Sequence, residues 1–343
     1  MRASLYRSVL LKTLRRPPRL APLLNLARYR LARHTGARTV RHTPVSLVVY
    51  LTKRCNFSCE FCYAQDTLNL PDHRKNELTR EQFQRILDSP FGRNALRIGL
   101  LGGEPFLNRN ILEYFRMLNE RRVISTVVTN CALIRDEHRE AFRKDAPTVF
   151  GLSLYDNNRE AVARTAGILN SLRHPYWIQT VIRADRLEEM ESAARFATEI
   201  GCKHLLFSNY YPTGRKGIER VVFDDHPGYP EAREAVERSH GSRLAIKWMT
   251  LIPAAVRDPL ARPPTRKHCE MPKSYVHIDN LGDLGGCCMR TPDGSRFGNI
   301  FEESDPWNRP FYQDLRAQMA DDSLPPEDHC RYCECWVDDL YGI

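Results

Sequence analysis

The chain has 343 residues, 51 Lys and Arg against 42 Asp and Glu, a formal net charge of +9, and 11 cysteines. This length holds one large domain plus a small one, and no apolar run approaches the roughly 18 residues that span a membrane. The basic excess is local: residues 1–45 carry eleven Lys and Arg and no Asp or Glu, which leaves 40 basic against 42 acidic residues elsewhere. Nucleic-acid binding is not expected, because no recognition motif or interleaved aromatic pattern accompanies the charge. The N-terminus has neither an uninterrupted apolar core nor a small-residue cleavage site, so it does not read as a secretory signal. Clustered thiols in so long a chain then point to metal in a reducing compartment, and to a cytoplasmic protein.

Residues 1–44 form a basic leader. Leu5, Val9, Leu10 and Leu11 precede Pro17-Pro18, and Leu23, Leu24 and Leu26 follow it, among scattered arginines. This pattern predicts two short amphipathic helices divided by prolines. Three readings stand side by side: a strap packed on the body, a docking surface for anionic lipid or an acidic partner, and a mitochondrial transit peptide.

Residues 45–209 alternate strand-like and helix-like segments. The β-branched run Val45–Leu51 is the first strand. Thr79 caps a helix reaching about Leu87, and Leu96–Leu101 is the second strand. Asn108–Glu120 is helical, Val123–Val128 a strand and Arg135–Lys144 a helix. Thr148–Leu154 follows as a strand, Asn158–Leu172 as a helix, Trp177–Ile182 as a strand, Leu187–Ile200 as a helix and His204–Ser208 as the sixth strand. Six such units predict an α/β fold with a parallel sheet, closed as a partial (β/α)6 barrel. Residues 210–268 show no clear period and are expected to connect. Residues 269–343 are cysteine-rich and are expected to form a small α+β domain.

The chemistry centres on Cys55, Cys59 and Cys62, spaced C-x3-C-x2-C on the loop leaving the first strand. Three thiolates are too few for a structural zinc site and suit an iron–sulfur cubane with one iron open to a small molecule. A zinc knuckle and a group of core cysteines are the bland alternatives. Gly102-Gly103-Glu104-Pro105 follows the second strand, where glycines admit a close ligand and a carboxylate accepts from an ammonium group. In the tail, Cys269, Cys287, Cys330 and Cys333 make a complete four-thiolate shell, for a second cluster or for zinc.

Together these motifs resemble the radical S-adenosylmethionine (SAM) superfamily, with a tail similar to its SPASM/twitch auxiliary domains. The resemblance implies that Cys55, Cys59 and Cys62 bind a [4Fe-4S] cluster whose fourth iron chelates SAM. Reductive cleavage then yields a 5′-deoxyadenosyl radical that takes a hydrogen atom from substrate. It further implies that Tyr63 contacts the adenine and that Gly102, Gly103, Glu104 and Pro105 hold the methionine end. Asn130, after Thr129, and Ser153 would contact the carboxylate or ribose, with Val181 and Ile182 as an apolar wall. The family's usual Gly after that Asn is here Cys131, which leaves the local turn in question. The tail implies one auxiliary [4Fe-4S] cluster, with Cys335 able to replace Cys333. Tyr211-Pro212-Thr213-Gly214-Arg215 is similar to a P-x-G-R turn of family members that carry an extra cluster domain.

Cys288 beside Cys287 is a candidate hydrogen donor to a substrate radical, or else a spectator or the actual ligand. Asp156, Arg183, Asp185 and Tyr210 are candidate proton-transfer groups. The expected function is hydrogen abstraction from a small hydroxyl-rich substrate, sugar- or cyclitol-like, giving oxidation or epimerisation. The expectation rests on the leader, which is too short for a peptide-recognition domain. A maturase of ribosomal peptides and a non-catalytic, membrane-docked accessory protein are the alternatives. A flavodoxin or ferredoxin would supply the electron, and a peripheral membrane contact through the leader is possible.

Overall fold

The computed structural model describes residues 19–33, 35–62, 64–69, 77–212, 217–258, 269–287, 292–320 and 330–333. After helix α1 (Leu20–Ala32), strand β1 (Ser46–Tyr50) is buried along its whole length. Helix α2 (Arg80–Asp88) starts at a reciprocal cap. The Gln82 amide donates to Thr79 Oγ1 at 3.2 Å and the Thr79 amide to Gln82 Oε1 at 2.8 Å, which satisfies two otherwise orphan N–H groups. A short helix α3 (Pro90–Asn94) leads to β2 (Arg97–Leu101), followed by α4 (Ile111–Glu120), β3 (Ile124–Thr129), α5 (His138–Lys144) and β4 (Val149–Ser153). Next come α6 (Arg159–Ser171), β5 (Tyr176–Ile182), α7 (Glu189–Glu199) and β6 (His204–Asn209). The six expected βα repeats are present.

All neighbouring pairs from β1 to β6 are parallel. Because side chains alternate along a strand, β1 serves two environments. Leu47, Val49 and Leu51 pack outward with Phe83, Ile86, Tyr114 and Phe115 under the helices. Val48 and Tyr50 face the other way, into a smaller cluster with Met271, Tyr275, Cys287 and Cys333.

The connecting region is more ordered than its composition suggests. Helix α8 (Tyr229–His240) and strand β7 (Ala245–Lys247) follow, and β7 extends the sheet beside β6. The helix buries only Tyr229, Val236 and His240, so its apolar period is too thin to read. His240 holds it to α7: its Nε2 lies 2.9 Å from Glu191 and its Nδ1 3.2 Å from Thr198.

The tail comprises α9 (Met271–Ser274), β8 (Tyr275–Ile278), β9 (Leu284–Gly285), α10 (Gly294–Phe297) and α11 (Pro310–Ala320). It is not detached from the barrel. β8 pairs in parallel with β1, and β9 closes an antiparallel hairpin, giving the sheet order β7-β6-β5-β4-β3-β2-β1-β8-β9 among the described residues. Gly282 makes the hairpin turn at φ +84°, a left-handed conformation that favours glycine. Arg316, fully buried, donates to the carbonyls of Pro272, Trp307 and Arg38, and so ties the tail to the chain entering β1. No described helix is long and apolar enough to cross a membrane.

Candidate functional site

The three-thiol loop leaves β1 at the C-terminal edge of the sheet, where parallel α/β folds collect their functional loops. Beyond the strands the two chains keep exchanging backbone hydrogen bonds, from Gly103 N to Thr52 O and from Glu104 N to Arg54 O, both at 2.8 Å. This explains the glycine pair. A Cβ on Gly102 would meet Thr52 O at 2.4 Å, and one on Gly103 would meet Arg54 O at 2.1 Å. The glycines let one loop lie directly on the other. Asn69 clamps the far side, accepting from Cys55 N at 2.9 Å and donating to Cys55 O at 3.0 Å.

Cys55, Cys59 and Cys62 are all half-buried. Burial raises the pKa of each, and Cys59 is pushed up to about 11 by burial together with the adjacent Cys62 and Cys55. Cys62 also raises Cys55, so the three thiols occupy one neighbourhood, and buried thiols there ionise readily only beside a cation. The donor set therefore fits an iron–sulfur cluster. Among the described residues no three Cys, His, Asp or Glu side chains converge on a single-ion position. A cubane differs in giving each thiolate its own iron.

Glu104 is buried beside the loop. Its Oε1 accepts from Thr129 Oγ1 at 2.8 Å and Phe106 N at 3.0 Å, and its Oε2 accepts from Asn130 N at 2.8 Å. Burial outweighs these three donors and raises its carboxyl to about 6. Asn130 links it back to the thiol loop, donating from Nδ2 to Asn56 Oδ1 at 2.9 Å. Asn158 spans the next gap, donating to Asn130 O at 2.9 Å and Ser153 O at 2.8 Å. Gln179 Nε2 then reaches Ser153 Oγ at 3.4 Å, and Trp177 Nε1 donates to Gln179 Oε1 at 3.0 Å. One polar chain thus runs across the ends of β2, β3 and β4 and reaches the interior of β5. Cys131 takes φ +66°, so the left-handed turn that glycine would make persists with a thiol in its place.

Of the residues picked from sequence, Glu104, Asn130 and Ser153 lie on this chain, with Gly102, Gly103 and Pro105 beside it. Asn56, Asn158, Gln179 and Trp177 were missed, since nothing local distinguishes an Asn that bridges strand ends from one in a turn. Tyr155 was missed too: its ring meets Phe61 at 5.0 Å and Phe57 at 6.3 Å between centroids, and the three thiols add to the burial that raises its phenol pKa. Tyr63, Cys288, Cys335 and Thr213–Arg215 lie outside the described residues.

Arg183 sits at the end of β5, buried, with its guanidinium on Asp185 and on Glu60 of the thiol loop. Arg220 takes the other oxygen of Glu60 at 3.2 Å. Asp156 is exposed, with Arg186 at 3.9 Å. It lines a cavity of about 80 Å³ with Glu60, Phe61, Tyr155 and Arg183. Tyr210 is buried, with Arg220 5.9 Å over its ring.

The four tail thiols also lie in one neighbourhood. Burial drives the Cys269 pKa well above the usual range, and Cys333, Cys330 and Cys287 push it further. Val48 and Tyr50 of β1 pack on this group. Behind them His277, buried on β8, lies 2.8 Å from Tyr275 Oη and 3.3 Å from Tyr50 Oη. The barrel's first strand therefore touches both thiol groups, a contact that sequence separation conceals.

Fold and thiol placement fit an iron–sulfur protein of the partial α/β barrel class, with three thiols at the barrel mouth and, among the described residues, four in the tail. Residues 49–213 match the radical SAM superfamily and residues 269–335 match the SPASM iron-sulfur cluster-binding domain. The chain is a radical SAM enzyme with a C-terminal SPASM domain, a protein of SAM and [4Fe-4S] clusters that include an auxiliary one. It is 23% identical over 310 residues to the PqqA peptide cyclase of Granulibacter bethesdensis, covering 85% of this chain and 80% of that protein. It is 22% identical over 308 residues to the PqqA peptide cyclase of Methylobacterium sp. (strain 4-46), covering 85% and 79%. In fold it is similar to Streptococcus suis SuiB bound to precursor peptide SuiA, with TM-score 0.64, 20% identity, and 85% of this chain and 71% of that one covered. It is also similar to anSMEcpe with bound AdoMet, with TM-score 0.61, 16% identity, and 85% and 89% covered.

The peptide cyclases overturn the expectation of a sugar or cyclitol substrate. That expectation rested on the size of residues 1–44. A peptide can be recognised by the barrel mouth, the tail or another chain, so leader length does not report the substrate.

Proposed function

We propose that the protein modifies a ribosomally made peptide, forming a bond within it after removing a hydrogen atom from one of its C–H groups. The observation that carries this reading is the match to PqqA peptide cyclases over 85% of the chain and 80% of their length. When bound, the first cluster and SAM supply a one-electron cleavage that creates a hydrogen-abstracting carbon centre.

The chain's own residues would do the rest. Cys55, Cys59 and Cys62 would hold the first cluster, on a loop clamped by Asn69 and by the Gly102-Gly103 backbone. Glu104 would receive the ammonium of SAM; its carboxylate, already fixed by three donors, needs no reorientation. Asn130 and Ser153 would face the rest of SAM, with Tyr63 on the adenine. Arg183 has the geometry of a positioning residue, because its guanidinium is paired on both sides and holds Glu60 of the thiol loop. Cys269, Cys287, Cys330 and Cys333 would hold the auxiliary cluster; closing the new bond removes a second hydrogen, whose proton would pass to solvent and whose electron that cluster would accept when bound. A hollow of about 390 Å³ beyond β5, lined by Asp185, Glu219, Val221, Phe223, His226 and Arg257, offers apolar walls and charges of both signs to a peptide side chain.

The test is anaerobic turnover of reconstituted protein with reductant, SAM and short peptides encoded beside its gene. The expected result is 5′-deoxyadenosine formation together with a peptide two hydrogens lighter. Deoxyadenosine formation stimulated by sugars or cyclitols and by none of the peptides would overturn the reading.

A further inference from the structure

Helix α1 is built inside out. Its inward face carries Asn25, which accepts from Thr43 N at 3.0 Å and donates to Thr43 O at 3.0 Å and Asn94 O at 3.3 Å. Tyr29, one turn on, is buried and donates to Glu270 Oε2 at 2.8 Å. Lys273 caps the end, donating to Arg33 O at 2.9 Å and Thr35 O at 3.1 Å. The helix is therefore anchored through polar groups, while its leucines point away. Leu20, Leu23, Leu24 and Leu31 are 69%, 41%, 49% and 78% exposed, and they are four of the five large exposed apolar side chains among the described residues. Isolated exposed leucines are ordinary, but a contiguous set on one face marks an interaction site.

At about 100° per residue, these leucines and Ala27 fall within about 100° of arc, and Arg28 and Arg30 stand at its two margins. Both arginines are exposed. No acidic residue occurs anywhere in residues 1–45. An apolar stripe with cations on both margins matches the boundary between acyl chains and anionic headgroups.

We propose that α1 docks the enzyme on an anionic membrane surface, with its leucine stripe in the headgroup boundary and Arg28 and Arg30 on lipid phosphates. Two copies of the chain would oppose arginine to arginine with no acid between them, which disfavours a self-paired stripe. A substrate peptide is disfavoured by position. α1 contacts Thr43 and Asn94, which precede β1 and β2, so it lies at the opposite edge of the sheet from the thiol loop, about 16 Å away along a five-residue strand. That placement leaves the barrel mouth open when the stripe is covered.

The test is co-sedimentation of the full chain with vesicles of phosphatidylcholine alone and of phosphatidylcholine with an equal part of phosphatidylglycerol. The wild type is expected to pellet with the anionic vesicles only. R28Q/R30Q should weaken partitioning by roughly fivefold per arginine, and L23S/L24S/L31S by at least about tenfold, with unchanged thermal melting and deoxyadenosine formation. Failure of the wild type to pellet, or equal pelleting of the leucine variant, would overturn the proposal. So would a leucine variant that merely converts a dimer to a monomer on gel filtration. None of these outcomes bears on the peptide reading, which is tested at the other edge of the sheet.

Discussion

The two thiol groups sit on the two sides of one strand's influence, and they differ in closure. The group at Cys55, Cys59 and Cys62 is half-buried, three-membered among the described residues, and bordered by a polar chain that runs over three strand ends. The group at Cys269, Cys287, Cys330 and Cys333 is four-membered among the described residues, with Cys287 and Cys333 buried against Val48, Tyr50 and Tyr275. A site that must admit a small molecule leaves one ligand position open and surrounds it with fixed donors and acceptors. A site that only has to hold its cluster is complete and covered in apolar surface. The count of thiols and the chemistry of the wall change together.

The largest effect should come from separating the two groups. Replacing Cys55, Cys59 and Cys62 by Ala is expected to abolish deoxyadenosine formation and lower bound iron from about eight to about four per chain. Replacing Cys269 and Cys287 by Ala should also remove about four irons, but should leave SAM cleavage measurable while lowering the melting temperature. Equal loss of cleavage in both variants would erase the distinction between an open and a closed site.

Glu104 sharpens the comparison next. Glu104→Gln places an NH2 where one of three converging donors points. It should weaken SAM binding about tenfold or more, since it removes a charge-assisted contact and misaligns a buried donor; equilibrium binding to reconstituted protein reads this directly. The pH dependence has a definite sign. The folded carboxyl titrates at about 6, above its ordinary 4.5, so the native state binds the extra proton. In cluster-free protein its contribution to stability should therefore fall by about 2 kcal/mol as pH rises between these values. Glu104→Gln should lack that slope in urea melts at pH 4 to 7. SAM affinity of the wild type should move the opposite way, rising with pH through about 6 as the carboxylate forms.

A smaller effect is expected at Arg183. Arg183→Gln and Glu60→Gln should each slow deoxyadenosine formation several-fold by loosening the thiol loop, and the double variant should be no slower than either single. Additive losses would argue for independent roles. The smallest effect lies at Cys131. Cys131→Gly should be more stable than Cys131→Ala by about 1 kcal/mol, because only glycine takes φ +66° without strain. Thermal melts of the two variants compare them.

Much of this was legible from residue order. The six βα units read through because β-branched runs alternate with capped amphipathic helices, and the Thr79–Gln82 cap is local chemistry. That Cys55, Cys59 and Cys62 lie near Glu104 was legible because both loops leave the C-terminal ends of neighbouring strands, β1 and β2. The helix at Tyr229–His240 was not, since only three of its residues are buried. The leader misled about the substrate because recognition of a peptide leaves no required length there.

The sequence by itself determined the class of chemistry, because cluster-binding thiols and glycine-dependent backbone contacts need particular residue types at short, fixed separations. Only the tertiary structure decided which polar residues serve it. Asn56, Asn130 and Asn158 meet because successive parallel strands end side by side, Gln179 meets Ser153 because β4 and β5 pair in that register, and Tyr50 meets His277 because β8 returns to pair with β1. It also decided that the leucines of α1 face outward, since the hydrogen bonds of Asn25 and Tyr29 to distant residues, not the helix's own period, choose which side is buried.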